Sequence, residues 1–135
     1  MPAFPLTGGC LCGGVRYEIA EPFMSAGYCH CTRCQRRTGT AASAQGRIVP
    51  GSLRIVQGAE LERQWKPEDG YAKCFCSNCG GALWSRNNEG EIASVRLGTV
   101  DGDPGIRPSY RMFTAYAAAW EPIPDDGLER FPERA

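Results

Sequence analysis

The spacing Cys-x-Cys-x-x-Cys occurs twice, at Cys29-His30-Cys31-Thr32-Arg33-Cys34 and at Cys74-Phe75-Cys76-Ser77-Asn78-Cys79, and a shorter pair, Cys10-Leu11-Cys12, precedes both. Sulfurs this close in sequence point to metal. Cysteines two apart reach disulfide geometry only with strain, whereas both turn readily toward one ion. Any fold this chain adopts has to bring distant turns together around its sulfurs.

Cys76-Ser77-Asn78-Cys79-Gly80 has the form of a zinc knuckle, in which the two intervening residues turn tightly enough for both thiolates to converge on one ion. A second pair completes a tetrahedron, and Cys10 with Cys12 is the pair to hand. These four are expected to form a closed structural site that staples the N-terminal turn to the middle of the chain. Cys29, Cys31, Cys34 and Cys74 are left over. Three ligands from one local segment and a free fourth position make a catalytic zinc, whereas a fourth sulfur from Cys74 makes a second closed site with no metal chemistry. Cys74 and Cys76 share a strand face, so periodicity leaves both partitions open. His30, the one histidine, is expected to turn away from the ion, because adjacent residues seldom face the same one. Arg33, Arg36 and Arg37 follow the ligands, and Arg36 and Arg37 are the candidates to hold a substrate carboxylate.

The remaining totals narrow the class. A chain of 135 residues has the size of one domain. Fifteen acidic and fifteen basic residues cancel, which argues against nucleic acid or an anionic membrane as partner. The N-terminal residues lack the pattern of a signal peptide and no apolar run is long enough to span a bilayer, so a cytoplasmic location is expected. Thiols stay reduced there, which again favours metal for the eight cysteines.

The segments between the cysteines read as short strands. Gly8 to Gly14 is expected to be a turn wrapped around an ion, and Val15 to Ile19 alternates as a half-buried strand. Further strands are expected at Ser25 to Cys29, Ala41 to Val49, Leu53 to Val56, Leu61 to Trp65, Tyr71 to Phe75, Ala82 to Arg86, Ile92 to Leu97 and Tyr110 to Tyr116. One helical turn at most fits after Cys34, closed by Gly39. The tail from Glu121 is expected to be a surface strap anchored by Trp120, Ile123 and Phe131. The class is mostly β, with short antiparallel strands, zinc knuckles and little helix.

The blocks Gly9-Cys10-Leu11-Cys12-Gly13-Gly14-Val15-Arg16-Tyr17, Cys29-His30-Cys31-Thr32-Arg33-Cys34-Gln35-Arg36 and Phe75-Cys76-Ser77-Asn78-Cys79-Gly80, with Trp120 near the end, resemble the glutathione-dependent formaldehyde-activating enzyme family, which includes the centromere protein V group. The resemblance implies an antiparallel β-tent of the Mss4-like type over residues 6–122, with 123–135 packed on it as a tail. It implies two zinc ions per chain: a structural one on Cys10, Cys12, Cys76 and Cys79, and a catalytic one on Cys29, Cys31 and Cys34. It also implies a carbon–sulfur lyase that joins a small-molecule thiol such as glutathione to an aldehyde such as formaldehyde. The alternative is a non-catalytic zinc-binding protein of the same fold that serves as an interaction scaffold. Two places depart from the family pattern, with Arg111 where a histidine is common and Ala119 where a proline is.

Overall fold

The computed structural model describes residues 2–135. Its strands run Leu6–Gly9 (β1), Arg16–Ile19 (β2), Ser25–Cys29 (β3), Ser43–Arg47 (β4), Leu53–Gln57 (β5), Glu62–Trp65 (β6), Ala72–Cys76 (β7), Ala82–Arg86 (β8), Ile92–Arg96 (β9), Tyr110–Met112 (β10) and Glu129–Arg130 (β11). The helix Thr32–Thr38 (α1) joins β3 to β4. A three-stranded sheet has the order β1-β2-β5, and an eight-stranded sheet the order β11-β10-β3-β4-β9-β8-β7-β6. The protein is therefore mostly β with a single short α-helix among the described residues, as its alternating patterns require.

Directly opposed residues in a sheet share a face, so register decides what each face of the large sheet carries. Ala26 opposes Gly46, Gly46 opposes Val95, Val95 opposes Trp84 and Trp84 opposes Cys74. This apolar row faces the small sheet, and Trp84 meets Tyr17 of β2 edge-on with ring centroids 5.9 Å apart. Leu6, Val15, Tyr17, Ile19, Leu83, Trp84 and Val95 form the centre of the core. The other face carries Cys29, Ser43, Gln45, Arg96, Ser85 and Lys73 across five strands, and α1 lies against it.

Four expectations are corrected. The glycines at Gly8 and Gly9 belong to β1, because Gly8 lies beneath Tyr17, where a Cβ would collide with the phenol. The helix is longer than one turn and begins before Cys34, since the extended residue Cys31 caps it and Gly39 closes it in the left-handed region at φ 69°. The last long strand stops at Met112, because Phe113 turns into the left-handed region at φ 55°, and β10 runs parallel to both neighbours, β3 and β11. Trp120 is 67% exposed and anchors nothing. The tail is held by Phe131 edge-on to Tyr110 and by Asp126, which accepts from Arg111 at 2.8 Å.

Candidate metal centres

Cys10 and Cys12 sit in the turn between β1 and β2, while Cys76 ends β7 and Cys79 lies in the turn to β8. The turns are shaped by their backbones. Gly13 and Gly80 adopt φ of 78° and 75°, and the Gly13 and Gly80 amides return to the carbonyls of Cys10 and Cys76 at 3.1 and 2.7 Å. The main chain then points N–H groups at sulfur, Val15 to Cys10 at 3.3 Å and Gly14 to Cys12 at 3.4 Å. Amides of Gly81 and Cys12 pull the Cys79 thiol down to about 6, while burial pushes Cys76 up to about 11. The four sulfurs lie within 4.8 Å of one another, with Cys10 to Cys12 at 3.6 Å and Cys12 to Cys76 at 3.9 Å. Zinc–sulfur bonds near 2.3 Å place the corners of a tetrahedron about 3.8 Å apart. The donor set and its spacing fit that ion.

The second group is local. Cys29 ends β3, Cys31 caps α1 and Cys34 lies in its first turn, where the Cys34 amide donates to the Cys31 sulfur at 3.3 Å. Their sulfurs also lie within 4.8 Å of one another. Sharing of protons with Cys31 and Cys34 pushes Cys29 up, and the same sharing with Cys29 and Cys31 pulls Cys34 down. Crowded thiols of this kind are what an ion displaces protons from. Cys29 and Cys34 are buried and Cys31 is partly open.

Cys74 stands outside both groups. Strand alternation is the reason: Lys73 shares the face of Cys29, so Cys74 points to the core. There, burial and the Glu62 carboxylate push its thiol up to about 12.

His30 is buried, and its Nε2 meets Nη1 of Arg111 at 3.1 Å. An arginine only donates, so Nε2 accepts and the imidazole proton belongs on Nδ1. Burial and then the Arg111 charge push His30 below its ordinary range. Arg111 also stacks over Tyr28 at 4.3 Å and pairs with Asp126, so it ties the tail to the segment that carries the ligands. Gln35 adds a second tie, donating from Nε2 to the carbonyls of His30 and Tyr116 at 2.7 and 2.9 Å.

The arginines after Cys34 part company. Arg33 pairs with Asp69, and Arg36 is exposed. Arg37 turns inward, and its Nη2 donates to the carbonyls of Cys74 and Trp84 at 2.8 and 3.0 Å. Sequence reasoning passed over Ser43, Gln45 and Arg96, which reach the cysteine cluster only through strand register. Two surface hollows of about 240 and 490 Å³ lie around the Pro2 to Thr7 segment, and no cysteine lines either.

A mostly β scaffold that gathers one four-sulfur and one three-sulfur group from three segments of chain defines a cysteine-rich class of protein equipped to hold metal ions. Within that class the chain belongs to the glutathione-dependent formaldehyde-activating enzyme family, whose profile matches residues 5–116. It is similar to the crystal structure of a Rhodobacter sphaeroides protein, with 25% identity and a TM-score of 0.56 over 93% of this chain and 98% of that one. No curated protein matches the chain. Among the described residues no helix is long and apolar enough to cross a membrane.

Proposed function

We propose that the protein is a zinc-dependent enzyme of the carbon–sulfur lyase type, acting on the adduct of a small-molecule thiol and a small aldehyde. The observation that carries this reading is a three-sulfur group with no fourth cysteine, histidine or carboxylate joined to it among the described residues, beside a four-sulfur group. Cys10, Cys12, Cys76 and Cys79 would hold a structural zinc, and Cys29, Cys31 and Cys34 a catalytic one. Bound there, zinc supplies a soft, open position that favours a thiolate over hydroxide as fourth ligand.

The chain's own residues do the rest. Cys31 is partly open while Cys29 and Cys34 are buried, so a substrate sulfur would reach the group beside Cys31. Arg36, exposed on α1, would pair with a carboxylate of the thiol. His30 is committed to Arg111 and holds its backbone in place, rather than serving as ligand or proton carrier. Family membership supports glutathione and formaldehyde as the reacting pair.

A metal count with a thiol titration tests the proposal. The wild type is expected to hold two zinc ions, and Cys29→Ser one, with the fold kept. Added glutathione should alter the sulfur signal of cobalt-substituted wild type and leave that of Cys29→Ser unchanged. Two metals and no response to any thiol would favour the scaffold reading.

A further inference from the structure

Between α1 and the large sheet lies a buried polar layer that no other feature of the protein explains. Register places Cys29, Ser43, Gln45, Arg96, Ser85 and Lys73 on one face, and the helix sets Cys34 and Arg37 against them. Arg96 is 6% exposed, donating from Nη1 to Gln45 at 2.7 Å and from Nη2 to Ser85 at 2.8 Å. Neither Arg96, Arg37 nor Lys73 has a carboxylate partner among the described residues. Among the described residues four buried side-chain polar atoms lack a hydrogen bond, and three are here: Nε of Arg96, Nη1 of Arg37 and Oγ of Ser43. A buried charge without a counter-charge is costly enough that proteins pair it. Cys29 shares this face and Cys34 is set against it, and burial, which with the repulsion of Arg96 on Arg37 and Lys73 pulls these cations down, is opposed in each by the charge of Cys34.

We propose that Arg96 and Arg37 are the fixed counter-charge of the Cys29–Cys31–Cys34 centre and position it to accept an anionic fourth sulfur. The inference rests on that group holding a divalent ion. Three thiolates and such an ion carry about −1, and a fourth thiolate takes the total to about −2. The buried guanidinium of Arg96 and the half-buried one of Arg37 set two positive charges against that sum, and half-buried Lys73 on the same face adds a third. The guanidinium N–H groups are bonded to neutral partners or left free, so Arg96 and Arg37 act through field rather than as ligands or substrate contacts. They are positioning residues, and the anion they favour is a thiolate in preference to a neutral thiol or water.

The test uses the full chain as Arg96→Met, Arg37→Met and Arg96→Lys, with zinc affinity measured by competition against a chromogenic chelator. Glutathione affinity is read from the sulfur-to-cobalt charge-transfer band. Each methionine variant is expected to weaken the second metal about 10–100-fold, as loss of supporting partners does, with the first metal and the circular dichroism unchanged. Arg96→Lys should recover most of the loss, since it restores charge without the guanidinium geometry. If Arg96→Met does not fold, Arg37→Met carries the same reading. A wild type with two metals whose affinities stay within twofold in the folded methionine variants overturns the counter-charge alone. A wild type that binds a single metal removes the centre and the proposed function with it.

Discussion

At the residue scale, Tyr17 shows how far burial governs chemistry in this small core. It is fully buried, its hydroxyl bonds to Thr99 at 2.6 Å, and burial pushes its phenol up to about 12. The unfolded chain releases that proton near about pH 10. Between those values the unfolded state binds fewer protons than the folded one, so stability falls as pH rises, by about 1.4 kcal/mol per unit. Tyr17→Phe keeps the ring against Trp84 and removes the titration. Urea unfolding at pH 8 and pH 11 should therefore show a larger loss in wild type than in the variant. Equal losses in both would mean that Tyr17 does not control the alkaline limb.

At the element scale, the edge strand β6 is pinned by one carboxylate. Glu62 accepts from Arg86 at 2.7 and 2.8 Å and from Trp84 Nε1 at 2.9 Å, joining β6 to β8 across β7. Burial pushes its carboxyl up, but Arg86, Trp84 and Cys74 together hold it below the usual range. Glu62→Gln leaves a partly buried guanidinium short of its counter-charge and should cost about 2 kcal/mol. Denaturant unfolding checks this, and amide exchange should quicken in Glu62 to Trp65 before the rest of the sheet. Unchanged exchange there would show that edge pairing alone holds the strand. The elements also show where the sequence is readable. Strands such as Arg16–Ile19 and Ala72–Cys76 follow local alternation, and the cysteine groups follow local spacing, so both are visible in the chain. The early start of α1 is hidden, because cysteine is not a usual cap, and so is the Ser43–Gln45–Arg96 layer, because its members meet across strands distant in sequence. For Cys74 the deciding fact is which side of the sheet faces the small one, and no single strand's pattern contains that.

At the scale of the whole molecule, the two cysteine groups differ in the length of chain they close. Cys12 and Cys76 stand 64 positions apart, so an ion on that group ties the small sheet's turn to the far end of the large sheet. Cys29 to Cys34 lie within one turn of chain and constrain little of the unfolded state. By analogy with a cross-link over a loop of that size, an ion on the long closure would contribute about 4 kcal/mol, and one on the short closure far less. Net domain stability is about 5–15 kcal/mol, so loss of the first group removes a large part of it. Cys12→Ser should therefore lower the unfolding temperature by more than about 10 °C, and Cys29→Ser by only a few degrees, although each costs one metal. Calorimetry on zinc-loaded protein, with metal counted in the same samples, reads both. A Cys12→Ser protein that lacks one metal and still unfolds at the wild-type temperature would place the fold's stability in the sheets, with no staple between them.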